Sequence, residues 1–304
     1  MWNPGDIHGQ YELVRRLDAM QGEGGTWEAI RTDASGTSER VCLRCVLHFE
    51  GWDERFVHFV EREVRAASTL HHANIANVLD FGRFGESPYV AFEFVDGVGL
   101  SQLLSSTKGA PWPQQLAVQM GLDLAQGIEH AHRHGVVHGS IHPGNVLLNR
   151  TGDVKLTDFG IAAPLLNKPE EAPRLIGWPT YKSREVHLMC AMDQMHARAD
   201  LFALGVALFE MLAGRNPFES GNVAQSLERL LKGEHPPLAE LAPDTPKTLS
   251  KMVDDAIEYA PDRRPISASS MVAVLQQIVM PGDQARTELT RLVHARMGSA
   301  SSAD

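Results

Sequence analysis

The sequence predicts an α+β fold in two unequal parts, a small antiparallel sheet with one helix followed by a larger, mainly α-helical portion. Three observations carry this. Short β-prone runs divided by Gly, Ser and Asp clusters fill residues 1–92, helical periodicity dominates from residue 97 onward, and 304 residues give room for about two cores.

The elements follow in order. Tyr11 to Leu17, Thr26 to Arg31 and Arg40 to Leu47 read as strands joined by turns. Asp53 to Thr69 has helical spacing, with Phe56, Val60, Glu63 and Ala67 on one face. Val78 to Phe84 and Tyr89 to Phe94 add two strands. Helices are predicted over Trp112 to Arg133, Asp200 to Ala213, Val223 to Lys232, Lys247 to Tyr259 and Ser267 to Met280. A last helix is expected over Gln284 to Met297, and the small, polar Gly298 to Asp304 is expected to fray.

Composition narrows the function classes. Hydrophobic residues at 43% and charged residues at 22% describe an ordinary globular protein. The net charge of −10 argues against non-specific binding to nucleic acid or an anionic membrane. Three cysteines give no disulfide framework and point to a reducing compartment. Cys42 and Cys45 have C-x-x-C spacing, but on a strand residues three apart face opposite sides, so they cannot share a zinc ion. No basic leader precedes an apolar run, and the longest apolar stretch, Leu201 to Met211, is interrupted by Glu210. A cytoplasmic location is expected. His130, His132, His134, His138 and His142 crowd together, but no spacing among them gives the helical pair with an acidic partner that a metal site uses.

Several short motifs stand in a consistent order. Gly5-Asp6-Ile7 and Tyr11-Glu12-Leu13 lead into the first strands, and His72-Ala73-Asn74-Ile75 follows the first helix. Pro88-Tyr89-Val90 and Glu93-Phe94-Val95 flank Phe92. Next come His138-Gly139-Ser140-Ile141-His142-Pro143-Gly144-Asn145, Asp158-Phe159-Gly160 and Tyr181-Lys182-Ser183-Arg184-Glu185. Asp200, Gly205, Glu210 and Asp262-Arg263-Arg264-Pro265 complete the series. Over residues 5 to about 280 the chain resembles the bacterial, eukaryote-like Ser/Thr protein kinases. The resemblance implies a bilobal protein-kinase-like fold: an N-lobe over 1–95 with a glycine-rich loop, helix C and hinge, a C-lobe over 96–280, and a C-terminal helix and tail over 281–304.

The resemblance also assigns roles. Gly22, Gly24, Thr26, Cys42, Arg44, Glu63, Glu93, Val95 and Leu147 take the nucleotide-binding positions, and Asn145 and Asp158 the metal positions, for ATP and Mg²⁺. Val146 to Leu148 and Val154 to Leu156 read as a hairpin that brings Asn145 and Asp158 out at one end, where an amide oxygen and a carboxylate suit Mg²⁺. Arg44 stands where the family has Lys and is expected to pair with Glu63. Glu23 places negative charge in the phosphate-covering loop.

The chain departs from the family where the chemistry is done. In H-R-D-x-K-P-x-N the Asp position is Ser140, the Arg position Gly139 and the Lys position His142. Ser140 is a poor proton acceptor at pH 7, and His142 lacks a dependable charge. Gly177-Trp178-Pro179-Thr180-Tyr181 aligns with G-T-P-x-Y, whose Thr hydrogen-bonds the catalytic Asp, and residues 161–179 contain no Ser, Thr or Tyr. Glu185 with Arg264, and Asp200 with the His138 backbone, are expected to brace the fold as in the family. Taken together, the departures imply a pseudokinase with no catalytic residue, binding nucleotide weakly or not at all and acting through a protein partner, an active kinase or a signalling protein. The alternatives are a low-activity Ser/Thr kinase, with His142 or Asp158 as base, or another ATP-dependent transferase.

Overall fold

Six antiparallel strands form the first sheet, in the order β1-β2-β3-β4-β6-β5. They are β1 (Ile7–His8), β2 (Tyr11–Arg16), β3 (Gly25–Thr32), β4 (Ser38–Cys45), β5 (Val78–Phe84) and β6 (Ser87–Glu93). The computed structural model describes residues 2–18, 25–45, 54–85, 87–161, 178–188, 195–280 and 283–301. The glycine-rich loop with Gly22, Glu23 and Gly24 lies outside the described residues. Alternation along β4 buries Val41, Leu43 and Cys45 against Tyr11, Leu13, Trp27 and Tyr89 on the outer face. Cys42 packs instead against the larger core on the other face, so the two thiols are divided as their spacing requires.

Helix α1 (Glu54–Ala67) lays Val60, Val64 and Ala67 onto that larger core. The segment after it is fastened to the helical portion. Asn74 Nδ2 donates to Val154 O at 2.9 Å, and Ile75 bridges to Leu156. Short elements then follow that the sequence reading did not separate, β7 (Gly97–Gly99) and α2 (Leu100–Ser106). Helix α3 (Gln114–Arg133) leads to the hairpin β8 (Val146–Asn149) and β9 (Val154–Leu156), which pairs with β7 as a three-stranded sheet.

The remaining helices are α4 (Arg184–His187), α5 (Met195–Ala213), α6 (Val223–Lys232), α7 (Leu238–Leu241), α8 (Lys247–Ala256), α9 (Ala268–Ile278) and α10 (Gln284–Ser301). Helix α5 is apolar on nearly every side and forms the axis of the core, with Leu204, Val206, Leu208 and Phe209 fully buried. It starts before the predicted Asp200, because its first turn is too polar to show apolar periodicity. Helix α10 also outruns its predicted end at Met297 and is helical to Ser301. It is anchored by buried Leu289 and Val293, and by Arg286, whose guanidinium meets Asp123 at 2.7 Å. Among the described residues no helix is long and apolar enough to cross a membrane.

Arg264 and Glu185 form the expected brace, two parallel bonds of 2.6 and 3.0 Å with both residues buried. Glu185→Ala strands a buried guanidinium. Urea unfolding is expected to show a loss of about 3–5 kcal/mol. The exposed Lys251–Asp255 pair gives the control, and Lys251→Ala is expected to leave the midpoint unmoved.

Candidate active site

The hairpin β8–β9 sets the first two functional groups. Val146 pairs with Leu156, and Thr157 N–H donates to Asn145 O at 2.9 Å, so Asn145 and Asp158 leave the same end of the ladder. Asn145 Nδ2 donates to Ser140 O at 3.0 Å, which fixes the amide and directs its Oδ1 away from that bond. Asp158 adopts a left-handed φ of 70°, a conformation Asp tolerates better than most residues. Gly160 has φ 80°, and a Cβ there would stand 3.0 Å from Glu63 O, so the turn after Asp158 sits tightly on α1. Phe159 is buried edge-on against His138, 4.6 Å between ring centres. A carboxylate and an amide oxygen at one end of a hairpin are hard donors that fit Mg²⁺.

The cationic partner differs from the expected one. Arg44 Nη1 lies 3.1 Å from Asp158 Oδ2 and donates to Thr26 Oγ1 at 3.0 Å, while Glu63 pairs with the neighbouring Arg62 at 2.9 Å. The expected Arg44–Glu63 pair is therefore corrected. Burial decides it: the Asp158 side chain is 8% exposed and needs a counter-charge, whereas that of Glu63 is 23% exposed and keeps water. The register of β3 and β4 sets Thr26 opposite Arg44, and that of β4 and β6 sets Cys42 opposite the buried Phe92. Burial pushes the Cys42 thiol up to about 12, so it lines the cleft as a neutral group. The Glu93 carboxylate is taken by Lys155 at 2.8 Å and by Asn77, which leaves the Glu93–Val95 backbone as the part that can address a base. Leu147 points to the opposite face from buried Val146 and Leu148.

The catalytic-loop positions are held from below. Asp200 accepts from His138 N and Gly139 N at 2.9 and 2.8 Å, and contacts His132 Nε2 at 2.9 Å. Gly139 has φ 75°, a left-handed conformation that suits the glycine now at the Arg position. His138 Nδ1 accepts from Ser140 N at 3.1 Å, so its Nε2–H donates to Thr157 O at 2.7 Å. Ser140 is 7% exposed. His142 Nδ1 accepts from Gly144 N at 3.1 Å, and its ring stacks on Trp178, 5.7 Å between centres and 13° between planes. Trp178 holds a left-handed φ of 65°, a costly conformation for a bulky side chain. Burial pulls His142 down from 6.5 to about 3, so a neutral imidazole occupies the family's Lys position.

Two further features were not found by motif reading. Lys182 and Ser183, in the stretch that matches Y-x-A-P-E, border the same small hollow as Ser140 and His142. Among the crowded histidines, His130 stacks with His72 and touches His134, while His132 and His138 serve Asp200 and Thr157. No group of three metal-ligating side chains is present among the described residues.

Burial lowers the pKa of His138, His142 and His187 alike. Below the ordinary imidazole value the unfolded chain takes up protons that the folded chain refuses. Their contribution is complete above about pH 7 and is lost as pH falls toward the depressed native values. The urea midpoint is expected to drop between pH 7 and 5. His142→Phe, which keeps a ring against Trp178, is expected to flatten that slope.

Comparison with known proteins agrees with this geometry. The protein kinase domain family model matches residues 17–277. The chain is 32% identical over 278 residues to the serine/threonine-protein kinase pkn3 of Myxococcus xanthus, covering 86% of this chain and 49% of that protein. It is 28% identical to the serine/threonine-protein kinase PrkC of Bacillus subtilis, covering 88% and 40%. The chain thus spans about half or less of the length of these relatives. The solved PknI kinase domain of Mycobacterium tuberculosis superposes with a TM-score of 0.70 at 22% identity over 91% of this chain and 99% of that one, a likeness of fold. With the matched span running from the residue after β2 into α9, the chain belongs to the protein kinase domain family.

Proposed function

We propose that the chain binds Mg²⁺ and ATP and transfers the γ-phosphoryl group slowly to a serine or threonine hydroxyl of a protein. One observation carries this reading: Asn145 and Asp158 leave one end of the β8–β9 hairpin, with the Arg44 guanidinium 3.1 Å from the Asp158 carboxylate. An oxygen donor pair beside a fixed cation is the arrangement that a metal-bound triphosphate needs. Asn145 and Asp158 would hold Mg²⁺, which would supply charge neutralisation on the phosphate oxygens. Arg44 adds a cation for the phosphates, the Glu93–Val95 backbone offers bonds to adenine, and Thr26, Cys42 and Leu147 enclose the base. The serine/threonine kinase names of the relatives support the same activity.

The slowness follows from Ser140. A hydroxyl at the base position forgoes a factor of about 10²–10⁴ in rate. The same observation favours a second reading, a pseudokinase that keeps the nucleotide cleft and acts by docking on a signalling protein or an active kinase.

A thermal melt with and without Mg²⁺ and ATP, run beside radiolabel transfer to a mixed Ser/Thr peptide pool, separates the two. Saturation at 100 times Kd is expected to add about 2.7 kcal/mol of stability. Label is expected in the peptide and absent with Asp158→Asn. Stabilisation without any label would leave the pseudokinase reading standing, and no stabilisation at millimolar nucleotide would remove both.

A further inference from the structure

Three imidazoles are packed ring to ring where the segment after α1 meets the end of α3. His72 stacks on His130, 5.1 Å between ring centres, and His130 lies 4.5 Å from His134. The His134 ring is fixed, because its Nδ1–H donates to His130 O at 2.8 Å. The middle ring is unsatisfied: His130 Nε2 is buried and has no hydrogen-bond partner among the described residues. His72 differs from both. Its Nδ1 accepts from Asn74 N–H at 3.1 Å, a bond that only a neutral imidazole with a bare Nδ1 can make. Asn74 in turn fastens the segment to β9. Its Nδ2 donates to Val154 O and its O accepts from Leu156 N–H, both at 2.9 Å, and Ala76 N–H donates to Leu156 O at 3.0 Å.

We propose that His72 is an acid-sensitive latch between this segment and the helical portion, closed while its imidazole is neutral and released when it is protonated. A proton on Nδ1 turns the acceptor into a second donor, so Asn74 N–H loses its bond and faces an N–H instead. The same proton sets a positive charge against the His130 ring, whose own Nε2 is already without a partner. The joint has little slack to absorb this. Gly127 of α3 sits so near that a Cβ there would stand 3.1 Å from Asn74 O. Release therefore reaches β9, which leads through Thr157 into Asp158. The latch acts on the joint itself and requires neither nucleotide nor phosphotransfer.

The charged and titratable groups around the stack come from three directions. On α3 they are Arg133 and Glu129, whose Oε1 accepts from the Ser269 hydroxyl of α9 at 2.8 Å. From β9 comes Lys155, bound to Glu93 at 2.8 Å, and the segment itself adds His71. Burial holds His72 below the ordinary imidazole value, while Glu129 favours its proton and Lys155 opposes it. Burial holds His130 down as well, with His134, His72, Arg133 and His71 adding to the effect. The unfolded chain therefore takes up these protons first. The latch contributes fully above about pH 7 and is lost as pH falls through the depressed native value.

The test follows hydrogen exchange of the Asn74, Ala76 and Leu156 amides from pH 7.5 to 5, corrected for the intrinsic exchange rate, in the intact chain and in His72→Asn. Asparagine offers a carbonyl oxygen that can accept from the amide two residues on, and it carries no charge at any pH. In the intact chain the protection of these amides is expected to fall at least tenfold, while Leu204 and Leu208 of α5 keep theirs. His72→Asn is expected to hold the three amides within twofold across the range. A proton NMR titration of the His72 ring in the intact chain is expected to show a midpoint below the ordinary imidazole value that coincides with the loss of protection. Unchanged protection in the intact chain, the same loss in His72→Asn, or a parallel loss in α5 that marks global unfolding would overturn the proposal. If His72→Asn fails to fold, the ring titration decides: a midpoint apart from the loss of protection overturns the latch.

Discussion

The Asp200 carboxylate is the constraint on which the site depends. A 1% exposed charge must be compensated, and here two backbone amides and a histidine do so. The amides belong to consecutive residues, His138 and Gly139, so their donation sets the path of the loop. With the backbone fixed, His138 has one ring nitrogen on Ser140 N and the other on Thr157 O. Thr157 immediately precedes Asp158. One buried carboxylate on α5 thereby places both the loop that carries Ser140 and His142 and the strand end that carries Asp158.

The Arg44 linkage shows how a single change redistributes charge. A guanidinium opposite Thr26 reaches Asp158 and the Thr26 hydroxyl together. Its fork satisfies two groups at once, and the more deeply buried carboxylate wins it. Helix α1 is then fixed by other contacts, through Val60 and Val64 in the core and the close seat of Gly160 on its backbone. Apolar packing thus holds the helix where an Arg44–Glu63 ion pair was expected to.

Much of the fold was legible because its signals are local. Alternation placed the strands and hairpin, and three-to-four spacing placed the long helices. The Cys42 and Cys45 faces followed from strand geometry alone. The brace between Glu185 and Arg264 was legible from their places in the motif series. Elements too short to show a period were not legible: β7, α2, α4 and α7 are each three to seven residues long. The choice between Asp158 and Glu63 as partner of Arg44 was hidden too, because it turns on relative burial. Lys182 escaped for a similar reason. Its position in the motif accepts any side chain, and only the enclosing loop and helix reveal that its amine is desolvated.

Four departures from the family pattern, Gly139, Ser140, His142 and Trp178, occupy one wall, and they are physically consistent with one another. In that pattern a threonine hydroxyl bonded to an aspartate joins the activation segment to the catalytic loop. Here neither partner is present, yet the junction persists as a ring stack between His142 and Trp178. Burial, not the stack itself, keeps that imidazole neutral. The positive φ of Trp178 costs energy that this contact, and its edge-on contact with Tyr181, must offset. A polar tether has been exchanged for an aromatic one. The loop and the segment stay joined by dispersion and apolar burial, and beneath them Ser183 is fully buried while Lys182 is half-buried.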